Sequence, residues 1–200
     1  MHIILADSEL ELIPDALKAD NEIRDMQKRR GKEDILLDNY LMRTSIRRHL
    51  PGRVDRVGFP SIAYAFFRMN EESVLKDTLK LEYAIHTKQG IILERRDLEG
   101  IGASYSEFVE RVEDILTGSH RTMKLVDYLE NLDIAGNTVV LHPKGRKDLV
   151  MNDQLSYVIG GFPEGDFISD LSGLRKFSIY EREITVPAVL ELLHFRLFQS

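Results

Sequence analysis

The chain has 200 residues, 43% of them hydrophobic and 30% charged, with a formal net charge of −6 and no cysteine. That length suffices for one domain with a substantial core, and the missing cysteines exclude disulfides, thiolate zinc sites and cysteine nucleophiles. The apolar runs at 61–67 and 185–198 are too short, or too interrupted by Glu191, His194 and Arg196, to span a bilayer. The start, MHIILADSELEL, lacks the basic lead-in and small-residue cleavage site of a signal peptide, so the cytoplasm is the expected compartment.

In chain order, HIILADS (2–8) reads as a strand and Glu9 to Ala19 as a short helix interrupted by Pro14. KRRGK (28–32) is a basic run. DILLDNYLMRTSIRR (34–48) has helical spacing of apolar residues and stops at Pro51-Gly52. PSIAYAFFRMNEES (60–73) opens on a proline suited to a first helical turn. LKLEYAIHT (79–87) and GIILERR (90–96) form a predicted hairpin about Lys88-Gln89-Gly90. Two helices follow, at 104–118, with Phe108, Val109, Val112, Ile115 and Leu116 on one face, and at 122–132. The remainder is strand and loop three times over, at 137–145, 155–167 and 175–183, then a helix with Thr185 as cap and Pro187 in its first turn.

Short apolar strands bounded by glycine predict a buried parallel sheet. Ligands of such sheets sit beyond the carboxyl ends of the strands, which brings HPKG (142–145), GGFPEGD (160–166) and IYERE (179–183) to one edge. Gly160, Gly161 and Gly165 would let a ligand approach bare backbone, or simply form a tight turn. The pattern is not a dinucleotide fingerprint, and no phosphate-cradling Lys-Ser/Thr follows it. A nucleoside-like ligand without phosphates fits better than ATP or NAD. The six histidines show no paired metal spacing. Ser104, Ser106 and Ser119 lie near His120, but no Gly-x-Ser-x-Gly elbow is present, which argues against a hydrolase. Arg43, Arg47, Arg48, Arg53 and Arg56 make a basic stripe on an acidic chain, read either as a solvated helix face or as a polyanion contact. The terminal helix is apolar nearly all round, which predicts burial on two sides, in the core and in a two-fold dimer.

VIGGFPEGDF followed by FSIYEREIT and an apolar terminal helix resembles the carboxyl half of SPOUT-class methyltransferases. The start HIILADSELELIP, the segment KRRGKEDILLDNY and the hairpin LEYAIHTKQGIILE extend the likeness, in register, to the archaeal branch of the Nep/Emg family. The resemblance implies an α/β fold with a trefoil-knotted carboxyl-terminal part: a single domain over 1–200 with a hairpin-containing insertion at roughly 28–105. It implies S-adenosylmethionine as cofactor, small-subunit (16S) ribosomal RNA as partner, methylation at N1 of a pseudouridine in ribosome biogenesis, a homodimer, and neither metal nor membrane. Carried over by motif, the cofactor contacts fall at Leu141 and His142, at Gly160, Gly161 and Gly165, and at Phe177, Ser178, Ile179, Tyr180, Glu181, Arg182, Glu183 and Ile184. Glu164 stands where relatives often have histidine.

The RNA side departs from the family. Its Arg-Pro-Asp-Ile motif is here Phe59-Pro60-Ser61-Ile62, and three further arginines align with Gly100, Ala103 and Glu107. Each lost cation weakens phosphate binding. RNA contacts are therefore expected at Arg43, Arg47, Arg48, Arg53 and Arg56 around the altered positions. No general base is evident. Asp38, of the Leu-Asp motif, is the nearest acidic candidate, with a helix-capping role as the alternative. Three readings stay open: an RNA methyltransferase, a non-catalytic RNA-binding assembly factor that kept the fold, and a methyltransferase of a non-RNA substrate.

Overall fold

The computed structural model describes residues 1–118 and 122–199; Ser119 and His120 lie outside the described residues. The elements are β1 (His2–Ser8), α1 (Asp15–Lys18), α2 (Asn21–Arg30), α3 (Asn39–His49), α4 (Pro60–Glu71), α5 (Leu75–Thr78), β2 (Glu82–Thr87), β3 (Ile92–Glu94), α6 (Tyr105–Thr117), α7 (Leu125–Asn131), β4 (Thr138–Arg146), β5 (Ser156–Gly160), β6 (Arg175–Phe177) and α8 (Val186–Phe198). One sheet runs β3-β2-β1-β5-β4-β6. All neighbours are parallel except the β2–β3 hairpin, which turns at Gly90 with φ +83°.

β1 lies in the middle of this sheet, and after His2 every one of its residues is buried. Its alternation sends Ile3 and Leu5 to one face and Ile4 and Ala6 to the other. The first face carries the larger core, with Tyr83, Ile85, Tyr157 and Ile159 packed under Phe66 and Phe67 of α4, Phe108 of α6 and Leu190 and Leu193 of α8. The second packs on Leu125, Tyr128 and Leu129 of α7. A third apolar cluster, of Ile13, Leu17, Ile23, Ile35, Leu37, Met42 and Ile46, belongs to α1–α3. No helix of the described residues is long and apolar enough to cross a membrane.

Several local expectations change. Residues 9–14 are extended rather than helical: Pro14 disfavours helix in the residue before it, Leu12 bridges to Leu36, and Ile13 N–H donates to Ile35 O at 3.0 Å. The same bridge keeps 34–38 out of α3, which starts at Asn39. Lys28, Arg29 and Arg30 of the basic run form the last turn of α2, ended by Gly31 with φ +64°. β6 is only three residues long, so 178–185 is loop, and Thr185 precedes α8 without a side-chain capping bond. The expected core face of α8 is present, through Val186, Val189, Leu190, Leu193 and Leu197, and Phe195 and Phe198 are exposed on the single chain.

A buried carboxylate ties the helical unit to the sheet's helices. Glu113 of α6 is 1% exposed and takes both terminal nitrogens of Arg30, at 2.5 and 2.8 Å, and the Leu36 amide at 2.9 Å. Glu113→Gln breaks this charge pair and should cost about 2–3 kcal/mol in urea unfolding. Asp114→Asn, next to it and exposed, should cost under about 1 kcal/mol. Equal effects would show that the pair does not anchor α2.

Candidate cofactor and RNA site

The carboxyl half of β4, where residues 142–145 continue the strand past an irregularity instead of forming the expected loop, and the loops that leave β5 and β6 meet at the carboxyl edge of the sheet and enclose a cavity of about 470 Å³. Leu141 and His142 line it from β4, the first of these segments, Gly160 and Gly165 from the end of β5 and the second, and Ser178, Ile179, Tyr180, Arg182, Glu183 and Ile184 from the third. Of the remaining cofactor candidates, Gly161 and Phe177 sit behind the wall and Glu181 is not on it. A Cβ on Gly161 would meet Ser8 Cα at 2.8 Å and Leu5 Cγ at 2.9 Å. Its amide donates to Ala6 O at 2.7 Å, and its carbonyl accepts from Glu9 N at 3.3 Å. Gly161 thus lets the loop cross the end of β1 at backbone contact. Phe177 packs its backbone against Gly145, where a Cβ would come within 2.5 Å.

Sequence reasoning did not single out several lining residues: Phe162, Pro163, Asp166 and Phe167 of the second loop, Ile62 of α4, and Val186 and Val189 of α8. The loop residues lay inside the glycine motif. Ile62 stood in the Phe59-Pro60-Ser61-Ile62 motif read on the RNA side, and only the packing of α4 on the sheet brings it to the cavity. Phe162 and Phe167 meet edge to face at 5.3 Å. His142 Nδ1 accepts from Lys144 N at 3.1 Å, so its Nε2 proton points to Asp166 Oδ1 at 3.2 Å. The Phe167 amide, aided by His142 and Lys176, keeps the Asp166 carboxyl below its ordinary range. Glu164, Asp166 and Glu183 therefore face the cavity against one cation, Arg182.

Two side chains from outside hold the second loop. Asp7, 1% exposed and at φ +54°, accepts from the amides of Ile168 at 2.7 Å and Ser169 at 2.9 Å and from Ser169 Oγ at 2.6 Å. Its own amide points to Nδ1 of buried His86 at 3.4 Å. Burial pushes the His86 imidazole below its ordinary value, against the charge of Asp7. Arg56 lies with its guanidinium 5.5 Å from the centre of the Phe162 ring and against Gly165, whose φ is +95° and whose Cβ would meet Arg56 Nη1 at 2.5 Å.

The other residues read as RNA contacts are largely engaged within the chain. Arg43 binds Asn39 Oδ1 at 2.9 Å and Asp55 at 3.2 Å, Arg48 binds Asp20 at 2.7 Å, and Arg53 lies 3.7 Å from Glu11. Arg47 is exposed, and no acidic partner lies within ion-pair distance of it among the described residues. Asp20, the N-cap of α2, also takes Ser45 and His49; burial raises its carboxyl, but these bonds and Arg48 outweigh that and bring it down to about 2. Phe59 is half-buried before α4, and Ser61 is exposed in its first turn. Gly100 is an open turn at φ +79°, the Ala103 carbonyl accepts from the Tyr64 hydroxyl, and Glu107 accepts from the Gly102 amide at 2.8 Å. Asp38 caps α3 through the amides of Tyr40 and Leu41 and accepts from the Tyr105 hydroxyl at 2.8 Å. It is not on the cavity wall. Burial and that bond push the Tyr105 phenol well above its ordinary value. Among the described residues no group of three His, Asp or Glu could hold a metal ion.

The Asp7 bonds set the stiffness of the second loop. Asp7→Asn replaces an acceptor oxygen with an amide donor facing donors, so the Ile168 and Ser169 amides should exchange with deuterium at least about tenfold faster, the equivalent of one charge-assisted bond. Unchanged exchange would mean that the loop holds itself.

A model of the EMG1/NEP1 methyltransferase family matches residues 3–194. Two curated relatives, both named ribosomal RNA small subunit methyltransferase Nep1, come from Thermoplasma acidophilum (32% identical) and Thermoplasma volcanium (34% identical), each alignment covering 94% of this chain and 93% of the relative. Among solved structures, Archaeoglobus fulgidus Nep1 bound to S-adenosylhomocysteine superposes with a TM-score of 0.82 at 21% identity, over 99% of this chain and 97% of that one, a likeness of fold. On sequence alone, then, a match spanning nearly every element described above decides the matter: the chain belongs to the EMG1/NEP1 methyltransferase family.

Proposed function

We propose that this chain binds S-adenosylmethionine at the carboxyl edge of the sheet and methylates small-subunit (16S) ribosomal RNA at N1 of a pseudouridine during ribosome assembly. The observation that carries the reading is the cavity built jointly by the three loops. Its volume suits a small-molecule ligand. Leu141, Ile159, Ile179 and Val189 offer apolar surface for a nucleoside, and the surplus of carboxylates suits a sulfonium charge. The bound cofactor would supply an electrophilic methyl: the N–C bond forms as the C–S bond breaks, sulfur keeps the electron pair, and the N1 proton leaves to solvent or a base. The chain's contribution is then alignment of acceptor and methyl, which supplies much of the rate in such a transfer. In this reading Asp38 holds α3 and Tyr105 in place and does not take the proton, since its oxygens already accept from Tyr40, Leu41 and Tyr105.

The same proposal includes the trefoil knot, a single domain with an insertion at roughly 28–105, a cytoplasmic location, and a two-fold dimer through α8. Phe195, 59% exposed, and Phe198, 66% exposed, support the dimer. The second reading, a non-catalytic assembly factor, draws support from the absence of any cation at Phe59, Ser61, Gly100, Ala103 and Glu107.

Calorimetric titration with S-adenosylmethionine and S-adenosylhomocysteine should give micromolar binding to one site per chain, and a pseudouridine-containing small-subunit hairpin should then accept a methyl group. Binding without transfer favours the assembly factor. No binding by folded protein at millimolar cofactor sinks the enzyme.

A further inference from the structure

α3 turns Asn39, Met42, Ser45 and Ile46 inward, and its outer surface combines two chemistries. Its second and third turns expose Arg43 and Arg47, four residues apart and so on one face. Its first turn, set off by non-helical angles at Met42, exposes Tyr40 at 92% and Leu41 at 61%. An aromatic ring so fully in water contributes nothing to the core, yet its backbone is rigidly placed. Asp38 caps the turn and is held by Tyr105; the Asn39 amide donates to Gly58 O at 2.6 Å, and the Asn39 side chain reaches Val57 O at 2.9 Å. Gly58 leads directly into Phe59 and α4, and Ile62 of α4 lines the cavity. The turn that carries the ring is therefore fastened to the segment that leads into α4, beside Phe59, one of the positions where the chain has no cation.

We propose that Tyr40, backed by Leu41, is a stacking platform for an unpaired base of the RNA, with Arg47 on the adjoining phosphate. The inference rests on the RNA reading above. Aromatic stacking tolerates any base, and it restores affinity where phosphate contacts are missing. A second copy of the chain fits this surface less well: two apolar side chains flanked by Arg43, Arg47 and Arg48 fall far short of the roughly 800 Å² per partner that a stable interface covers.

The test uses the full chain and a fluorescein-labelled RNA hairpin with a uridine-rich loop, alongside the same hairpin with an abasic loop. Tyr40→Ala should bind the first about tenfold more weakly, with an unchanged salt slope, and should lose nothing further on the second. Tyr40→Phe should match the wild type. Arg47→Ala should lower the salt slope by about one. Tyr40→Ala binding as the wild type does overturns the platform and leaves the RNA reading standing. A penalty that persists on the abasic loop, or a Tyr40→Ala chain that sediments as a monomer where the wild type is a dimer, also overturns it. Failure of the wild type to bind either hairpin at low salt overturns both readings together.

Discussion

A carboxylate taken out of water without a cation beside it is costly, and Asp7 is in that position at the end of β1. Its nearest titratable neighbour is His86, 3.6 Å away and itself buried. What offsets the cost is three donors from the second loop, two of them consecutive amides. The same stretch of β1 receives the Gly161 amide on Ala6 and returns the Glu9 amide to Gly161. The loop that forms most of the cavity's rim is thus fastened at its start and at its middle to one strand terminus. The first and third loops then need only meet it. The parallel sheet puts them there, because β4, β5 and β6 all run the same way.

The second arrangement that shapes the site is the use made of cations. Four of the five arginines between 43 and 56 are spent inside the chain: on Asp55 and Asn39, on Asp20, on Glu11, and on the face of Phe162. Arg30, from the other basic run, goes to Glu113. These pairs join α2, α3 and the turn after them to one another and to the sheet. A basic run in sequence is therefore a poor guide to the field a polyanion meets, because the acids that neutralise it come from distant segments. Arg56 shows this most clearly. It reads as an RNA contact, and it packs under the loop that rims the cofactor cavity.

Much of the architecture was legible. The strands of the carboxyl half are short, apolar and closed by glycine, and the amphipathic face of α6 is plain. The three loops that converge on the cavity could be placed at one sheet edge from the parallel pattern alone. Other features were not legible, for physical reasons. Residues 9–14 have a helix-like apolar spacing, but their backbone is claimed by the segment around Leu36. α2 has a polar sequence with little apolar periodicity, and it is held by the Asp20 cap and the Arg30 pair rather than by a broad buried face. The three glycines of 160–165 look alike in sequence, yet Gly161 serves contact with β1 and Gly165 serves contact with Arg56. Only tertiary neighbours separate such roles.

The place of β1 in the sheet also bears on how the chain comes to be folded. It is made before either of its neighbours, and its residues pair with Glu82–Thr87 on one side and with Tyr157–Gly160 on the other. At a synthesis rate of about 5–20 residues per second, the strand has only its first neighbour for roughly 4–15 seconds, while the chain grows from the end of β2 to the end of β5. During that interval a strand whose middle, Ile3 to Ala6, is wholly apolar has one edge open, the condition in which strands pair wrongly with other chains. Asp7, Ser8 and Glu9 close that strand with polar groups destined for burial. Until the partner strand arrives they keep its end hydrated, and the chain's most central element begins life as its most vulnerable one.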